Sequence, residues 1–150
     1  MLVTTNSGGL PVGVDTDNIL SVNSMPRSRR ISEVLQKTGH VEKSGQGIDR
    51  MFAISISEGK PIPDYSLTDE WQVCLRLYGT ILDPALLLLI HDIQHNRSTT
   101  EKLNAFDLLA LYRVSRGESI RNVDTATLKK LLSQGLLVET GNGIKLTPPV

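Results

Sequence analysis

The sequence predicts an α+β chain in two parts, on three observations. Residues 71–78 alternate Trp71, Val73, Leu75 and Leu77 with Gln72, Cys74, Arg76 and Tyr78, the period of a half-buried strand. Two stripes at helical spacing precede it: Ile31, Val34 and Leu35, then Ile48, Met51, Phe52 and Ile56. After Gly79 the order becomes helix, helix, helix, β-hairpin. The expected architecture is a small α/β layer over residues 1–79, followed by a winged-helix domain over residues 80–150.

The elements follow in order. Leu2-Val3 suits a short strand before the turn-rich Asn6-Ser7-Gly8-Gly9-Leu10-Pro11. Residues 12–26 read as irregular or weakly helical and end near Pro26. A helix near 30–38 stops at Gly39, and one near 47–58 is closed by Gly59, Pro61 and Pro63. Asp83-Pro84 places an N-cap before proline at the first helical position, opening an apolar helix to about His95. Ser98-Thr99-Thr100-Glu101 has the form of a capping box. The helix it opens carries Leu103, Phe106, Ala110, Leu111 and Val114 on one side. Asp124 can cap a third helix with Leu128, Leu131 and Leu132 inward and Gly135 as its stop. Residues 136–139 and 144–147 then flank Gly141-Asn142-Gly143 as a hairpin.

Composition narrows the function. A chain of 150 residues can bury about 70% of the surface its unfolded form exposes. Aromatic residues are only 4%, which argues against a single-strand binder built on base stacking. Formal net charge is zero, from 16 basic and 16 acidic residues, without the basic excess of many nucleic-acid binders. Residues 1–75 hold 7 basic and 9 acidic residues, and residues 76–150 hold 9 and 7. The lone Cys74 rules out an internal disulfide and fits a reducing compartment. The apolar run from Ala85 to Ile90 is too short to span a membrane. No basic lead precedes an apolar stretch at the N-terminus. A cytoplasmic protein without a membrane partner is the expectation.

Three motifs agree in order and spacing with a known family: Ser7-Gly8-Gly9-Leu10-Pro11, Pro26-Arg27-Ser28 and Gly45-Gln46-Gly47-Ile48. Over roughly residues 1–78 the chain resembles the C-terminal region of bacterial transcriptional regulators with a Schlafen/AlbA-type DNA-binding domain at their N-terminus. These are often labelled RecG-related ATP-dependent DNA helicases. It departs from their pattern at Ser7 and Ser28, where proline and asparagine are usual. The resemblance implies a C-terminal fragment with the AlbA-type domain upstream, a degenerate histidine-kinase-like ATPase segment, and a winged helix after it. No Gly-x-x-x-x-Gly-Lys-[Ser/Thr] occurs, so there is no Walker-type loop behind the helicase label.

The main candidate for chemistry is Gly45-Gln46-Gly47 ahead of the helix from Ile48. In the ATPases that the resemblance points to, such a turn holds phosphates through backbone N–H groups and the helix dipole. The metal-bearing Asn or Glu and the adenine-reading Asp are not evident among the 44 upstream residues. Structural use, a tight turn and close helix packing, is therefore preferred to a phosphate site. No cofactor is expected, ATP being disfavoured, and no catalytic residue is assigned.

His91-Asp92-Ile93-Gln94-His95 imitates a zinc-protease motif but has Asp for Glu and no marked third ligand. No metal site is expected there. Cys74 lacks a base at motif spacing and reads as a packing residue. Arg27, Arg29 and Arg30 suit either a phosphate contact or a solvated turn.

In the second part Arg116, Arg121, Lys129, Lys130 and Lys145 fall on or near the expected recognition helix and wing. Lys and Arg on phosphates supply most non-specific affinity for DNA. The leading expectation is a regulator fragment whose winged helix contacts duplex DNA. The alternatives are a nucleotide-dependent ATPase module and a homo-oligomerisation module using the apolar face of 84–93.

Overall fold

The computed structural model describes residues 1–41, 45–95, 103–120, 123–141 and 143–147, the side chain of His95 excepted. Helix and strand are mixed, and the strands form two small antiparallel sheets. The chain divides into two compact units. One comprises Met1–Phe52 with Ile62–Gly79, the other Ala53–Pro61 with Thr80–Val150.

In the first unit β1 (Leu2–Ser7) pairs antiparallel with β2 (Gln72–Leu77), from Leu2 opposite Leu77 to Ser7 opposite Gln72. The far margin of β2 is occupied by residues 64–69. Arg76 and Asp64 exchange backbone hydrogen bonds of 2.9 and 3.0 Å. The Thr68 hydroxyl accepts from the Cys74 N–H at 3.0 Å and donates to the Cys74 carbonyl at 3.2 Å. A side chain thus takes the place of a third strand. The Ser7-Gly8-Gly9 turn continues the ladder, with the Gly8 N–H on the Trp71 carbonyl and the Gly9 N–H on that of Glu70. Gly9 has no substitute here, because a Cβ would lie 2.6 Å from the Asp69 carbonyl oxygen.

β2 is the expected strand, but burial does not divide its faces cleanly, since Val73, Leu75, Arg76 and Leu77 are all half-buried. Trp71 is 75% exposed and Cys74 only 3%. The Cys74 face tolerates Arg76 because Asp64 neutralises it. Arg76 Nη2 lies 2.5 Å from Asp64 Oδ2, and the Tyr78 hydroxyl donates to the same oxygen at 3.1 Å. Counting polar residues as outward-facing fails where those residues satisfy one another.

The Asp64 carboxyl sits below its ordinary value of 3.8. The Ser66 N–H is the largest cause, opposed by burial and assisted by the Ser66 and Tyr78 hydroxyls and the Arg76 charge. A lowered folded value means that the stabilisation is complete above the unfolded value and is lost as pH falls through the folded one. Asp64→Asn is expected to cost about 1–3 kcal/mol at neutral pH. Urea titrations should show the gap to the parent chain closing as pH falls below that ordinary value.

Helix α1 (Arg29–Lys37) starts where Ser28 Oγ accepts the Ile31 N–H at 3.4 Å. It ends at Thr38 with Gly39 at φ +75°, the left-handed stop its glycine predicts. Its apolar stripe is only partly covered. Ile31 and Val34 are 62% and 60% exposed, Leu35 is half-buried, and no residue of α1 is fully buried. The first unit's core is small: Ile19, Phe52, Tyr65 and Cys74.

Helix α2 (Gln46–Ser57) runs from the first unit into the second. In the second unit, Gly59 (φ +65°) follows it, and its carbonyl accepts the N–H groups of Leu82 and Asp83. Helix α3 (Pro84–His95) opens as expected, with Asp83 Oδ1 accepting the Leu86 N–H at 2.9 Å. Helix α4 (Ala105–Ser115) begins later than expected. The Ser98–Glu101 box lies outside the described residues, and the working box is Asn104 with Asp107, each side chain taking the other's N–H at 2.9 Å. That shifts the inward face to Ala105, Asp107, Leu108, Ala110, Leu111 and Tyr112 and leaves Phe106 exposed.

Helix α5 (Thr125–Ser133) starts after Asp124, whose side chain makes no capping bond. Strands β3 (Leu137–Thr140) and β4 (Gly143–Leu146) form the hairpin, Leu137 opposite Leu146. Asn142 of its turn is outside the described residues. Ile56, Leu86, Leu89, Ile90, Leu111, Leu131 and Leu136 are fully buried. Each is worth about 1.5–3 kcal/mol of transfer free energy, so most of the molecule's apolar burial lies in this unit.

Candidate functional site

The glycine turn can be judged residue by residue. Gly45 has φ +72°, a conformation that side-chain-bearing residues adopt only at a cost. Gly47 differs. It lies in the first turn of α2, and among the described residues nothing comes within 4 Å of a Cβ built on it. The tight turn therefore accounts for Gly45, but close helix packing does not account for Gly47. Gln46 is the first residue of the helix and is exposed.

Both glycines border a hollow of about 280 Å³ in the first unit. Leu10, Pro11, Val14, Ile19, Val22 and Met25 form its apolar wall, and Asn23 and Ser24 add polar groups. No charged side chain is among the described lining residues. Two motifs distant in sequence, Leu10-Pro11 and Gly45-Gln46-Gly47, thus share one concavity. The Arg27 guanidinium lies apart from it, against Gly8 and 3.4 Å from the Ser7 carbonyl. Arg29 pairs with Glu33 at 3.3 Å, one helical turn on.

The described cations expected at a DNA contact fall into three groups. Lys129 on α5 and Lys145 on β4 are exposed. Arg116 pairs with Glu118 at 3.3 Å and stands over the Tyr112 ring, 5.7 Å from its centre. Lys130 is turned inward. Its Nζ lies 2.7 Å from Asp107 Oδ2, with 23% of the lysine side chain exposed and 1% of the aspartate. Its charge is committed to a buried carboxylate, so Lys130 has a structural role at the α4–α5 contact. Arg121 lies outside the described residues.

Sequence reasoning missed Asp107, although Asn104-x-x-Asp107 carries a capping signal. It also missed a groove of about 270 Å³ lined by Phe106, Leu109, Arg113, Val123 and Thr127. The exposed Phe106 follows from the later start of α4.

Among the described residues, no group of His, Cys, Asp and Glu side chains could hold a metal ion. His91 is exposed on α3. Cys74 is a free, buried thiol. No described helix is long and apolar enough to cross a membrane.

No curated protein and no solved structure matches the chain. Residues 1–77, half of the chain, match the family described as "Putative ATP-dependent DNA helicase recG C-terminal". The match spans β1, the Gly8-Gly9-Leu10-Pro11 turn, the Gly45-Gln46-Gly47 turn and β2, so the two motifs that border one hollow are both part of it. The chain belongs to this RecG-related, ATPase-like C-terminal family.

Proposed function

We propose that the chain is the C-terminal part of a bacterial, cytoplasmic transcriptional regulator, and that its second unit is a winged helix contacting duplex DNA. The observation that carries the reading is the placement of Lys129 and Lys145. Both are exposed, one on the last helix and one on the hairpin after it. A helix followed by a hairpin is how a winged helix meets a major groove and its flanking backbone. The helicase description of the family over residues 1–77 adds an association with DNA. Lys130 is removed from the contact set by its bond to Asp107, and Arg116 is partly neutralised by Glu118. The reading therefore predicts weak binding dominated by phosphate contacts.

Fluorescence anisotropy with mixed-sequence duplex, run as a salt series, tests it. Binding should weaken with salt at a slope of about −0.9 per phosphate neutralised. Lys129→Ala with Lys145→Ala should lower that slope by about two phosphate equivalents. No binding at low salt would remove the DNA role.

The hollow beside Gly45 and Gly47 favours a second reading, a small-ligand site in the ATPase-like unit. Its apolar wall and the bare backbone at Gly47 suit a ring placed against the start of α2. Isothermal titration with Mg-ATP and with adenosine separates the cases. Heat from both supports a retained nucleoside pocket, and heat from neither removes this reading.

A further inference from the structure

The groove between α4 and the start of α5 lies wholly within the second unit. One wall follows from helical spacing. Phe106, Leu109, Ala110 and Arg113 stand at i, i+3, i+4 and i+7 along α4, which places them on one face. Leu108, Leu111 and Tyr112 hold the opposite face in the core. Ala110 is 1% exposed and Phe106 42%. A small residue among three large ones leaves the concavity. Val123 and Asp124 close it from the α5 side.

The groove carries two opposite charges, and neither is neutralised by a described residue. Arg113 is half-buried, and its guanidinium makes no hydrogen bond or ion pair among the described residues. Arg116, further along the same chain, has Glu118. Asp124 holds the N-cap position of α5, where an aspartate normally accepts a backbone N–H of the first turn. Its side chain makes no such bond, and it does not pair with Arg113.

We propose that this groove binds a free α-amino acid with an apolar side chain. The α-carboxylate meets Arg113, the α-ammonium meets Asp124, and the side chain lies against Phe106, Leu109, Ala110 and Val123. Charge complementarity selects the class. A simple anion is repelled by Asp124, and a simple cation by Arg113. A neutral apolar guest would strip water from both charges and return nothing. A zwitterion gives each a charge-assisted hydrogen bond. The volume of about 270 Å³ lies just below the ~300–1,000 Å³ of pockets for drug-sized ligands, which suits one amino acid rather than a peptide helix. Neither DNA contact nor the hollow of the first unit is involved.

Isothermal titration of the full chain with L-leucine, L-methionine and L-phenylalanine tests the proposal, with amide chemical shifts to locate the site. At least one of them should bind saturably, and the shifts should centre on Leu109, Ala110 and Thr127. Arg113→Gln and Asp124→Asn should each weaken that binding by about tenfold or more. Both should leave the urea midpoint in place, because asparagine caps a helix as well as aspartate does and Arg113 has no described partner to lose. The N-acetyl derivative lacks the ammonium, so it should bind more weakly than the parent amino acid and be indifferent to Asp124→Asn. The amide derivative lacks the carboxylate and should be indifferent to Arg113→Gln. This crossed pattern is the signature of direct charge recognition. No binding by any of the three amino acids overturns the proposal, as do shifts centred on Ile19 and Gly47 in the first unit. Affinity that both charge variants leave unchanged, or that they lower equally for every ligand, overturns it as well.

Discussion

Lys130→Met is expected to destabilise the second unit by about 3–5 kcal/mol, the usual cost of leaving one partner of a buried ion pair alone. Asp107 is 1% exposed. Its Oδ2 accepts the Asn104 N–H at 2.9 Å and the Lys130 ammonium at 2.7 Å, while Oδ1 has no partner among the described residues. Without the ammonium, a carboxylate shut away from water keeps one neutral hydrogen bond. Urea unfolding at neutral pH measures the loss. Removing both charges, as Lys130→Met with Asp107→Leu, should recover most of it. What remains should be about 1 kcal/mol for the broken capping box. A double variant as unstable as the single one would show that the pair acts through packing. The same variants separate fold from contact: Lys129→Ala should leave the urea midpoint unchanged, whatever it does to DNA affinity.

Leu131→Ala is expected to cost about 2–5 kcal/mol through the lost transfer free energy and the cavity left behind. Leu131 is fully buried on α5, and its carbonyl accepts the Leu136 N–H at 3.0 Å. The Leu136 carbonyl in turn accepts the Thr147 N–H at 3.0 Å, just past β4. One side chain therefore sits where helix and hairpin are tied together. Hydrogen exchange should quicken along β3 and β4 as well as α5. A loss confined to α5 would mean that the hairpin is held by its own pairing alone.

Where a helix begins or stops on a residue with its own backbone chemistry, the sequence was readable. Asp83-Pro84 opened α3 and Gly39 closed α1, because proline's fixed φ and glycine's freedom act without tertiary help. The hairpin around Gly141–Gly143 belongs with them. Features that depend on a distant partner were not readable. β1 pairs with a strand some seventy residues away, and nothing local in Leu2–Ser7 names that partner. Arg76 is half-buried because Asp64 is there to meet its charge. Lys130 looked like a surface cation until Asp107, twenty-three positions earlier, took its charge. The glycine turn was half readable. The need for Gly45 is local, whereas the hollow at Gly47 forms only when Leu10-Pro11 comes beside it.

The Thr68 hydroxyl, fastened along β2, stands in for backbone that the chain does not supply at that point. Thr68→Val keeps the shape and deletes both of its bonds to Cys74, stranding an amide and a carbonyl in the middle of the ribbon at about 1–3 kcal/mol. The neighbouring bonds from Asp64 and Asp69 would stay, so faster amide exchange should centre on Cys74 rather than spread along the whole strand.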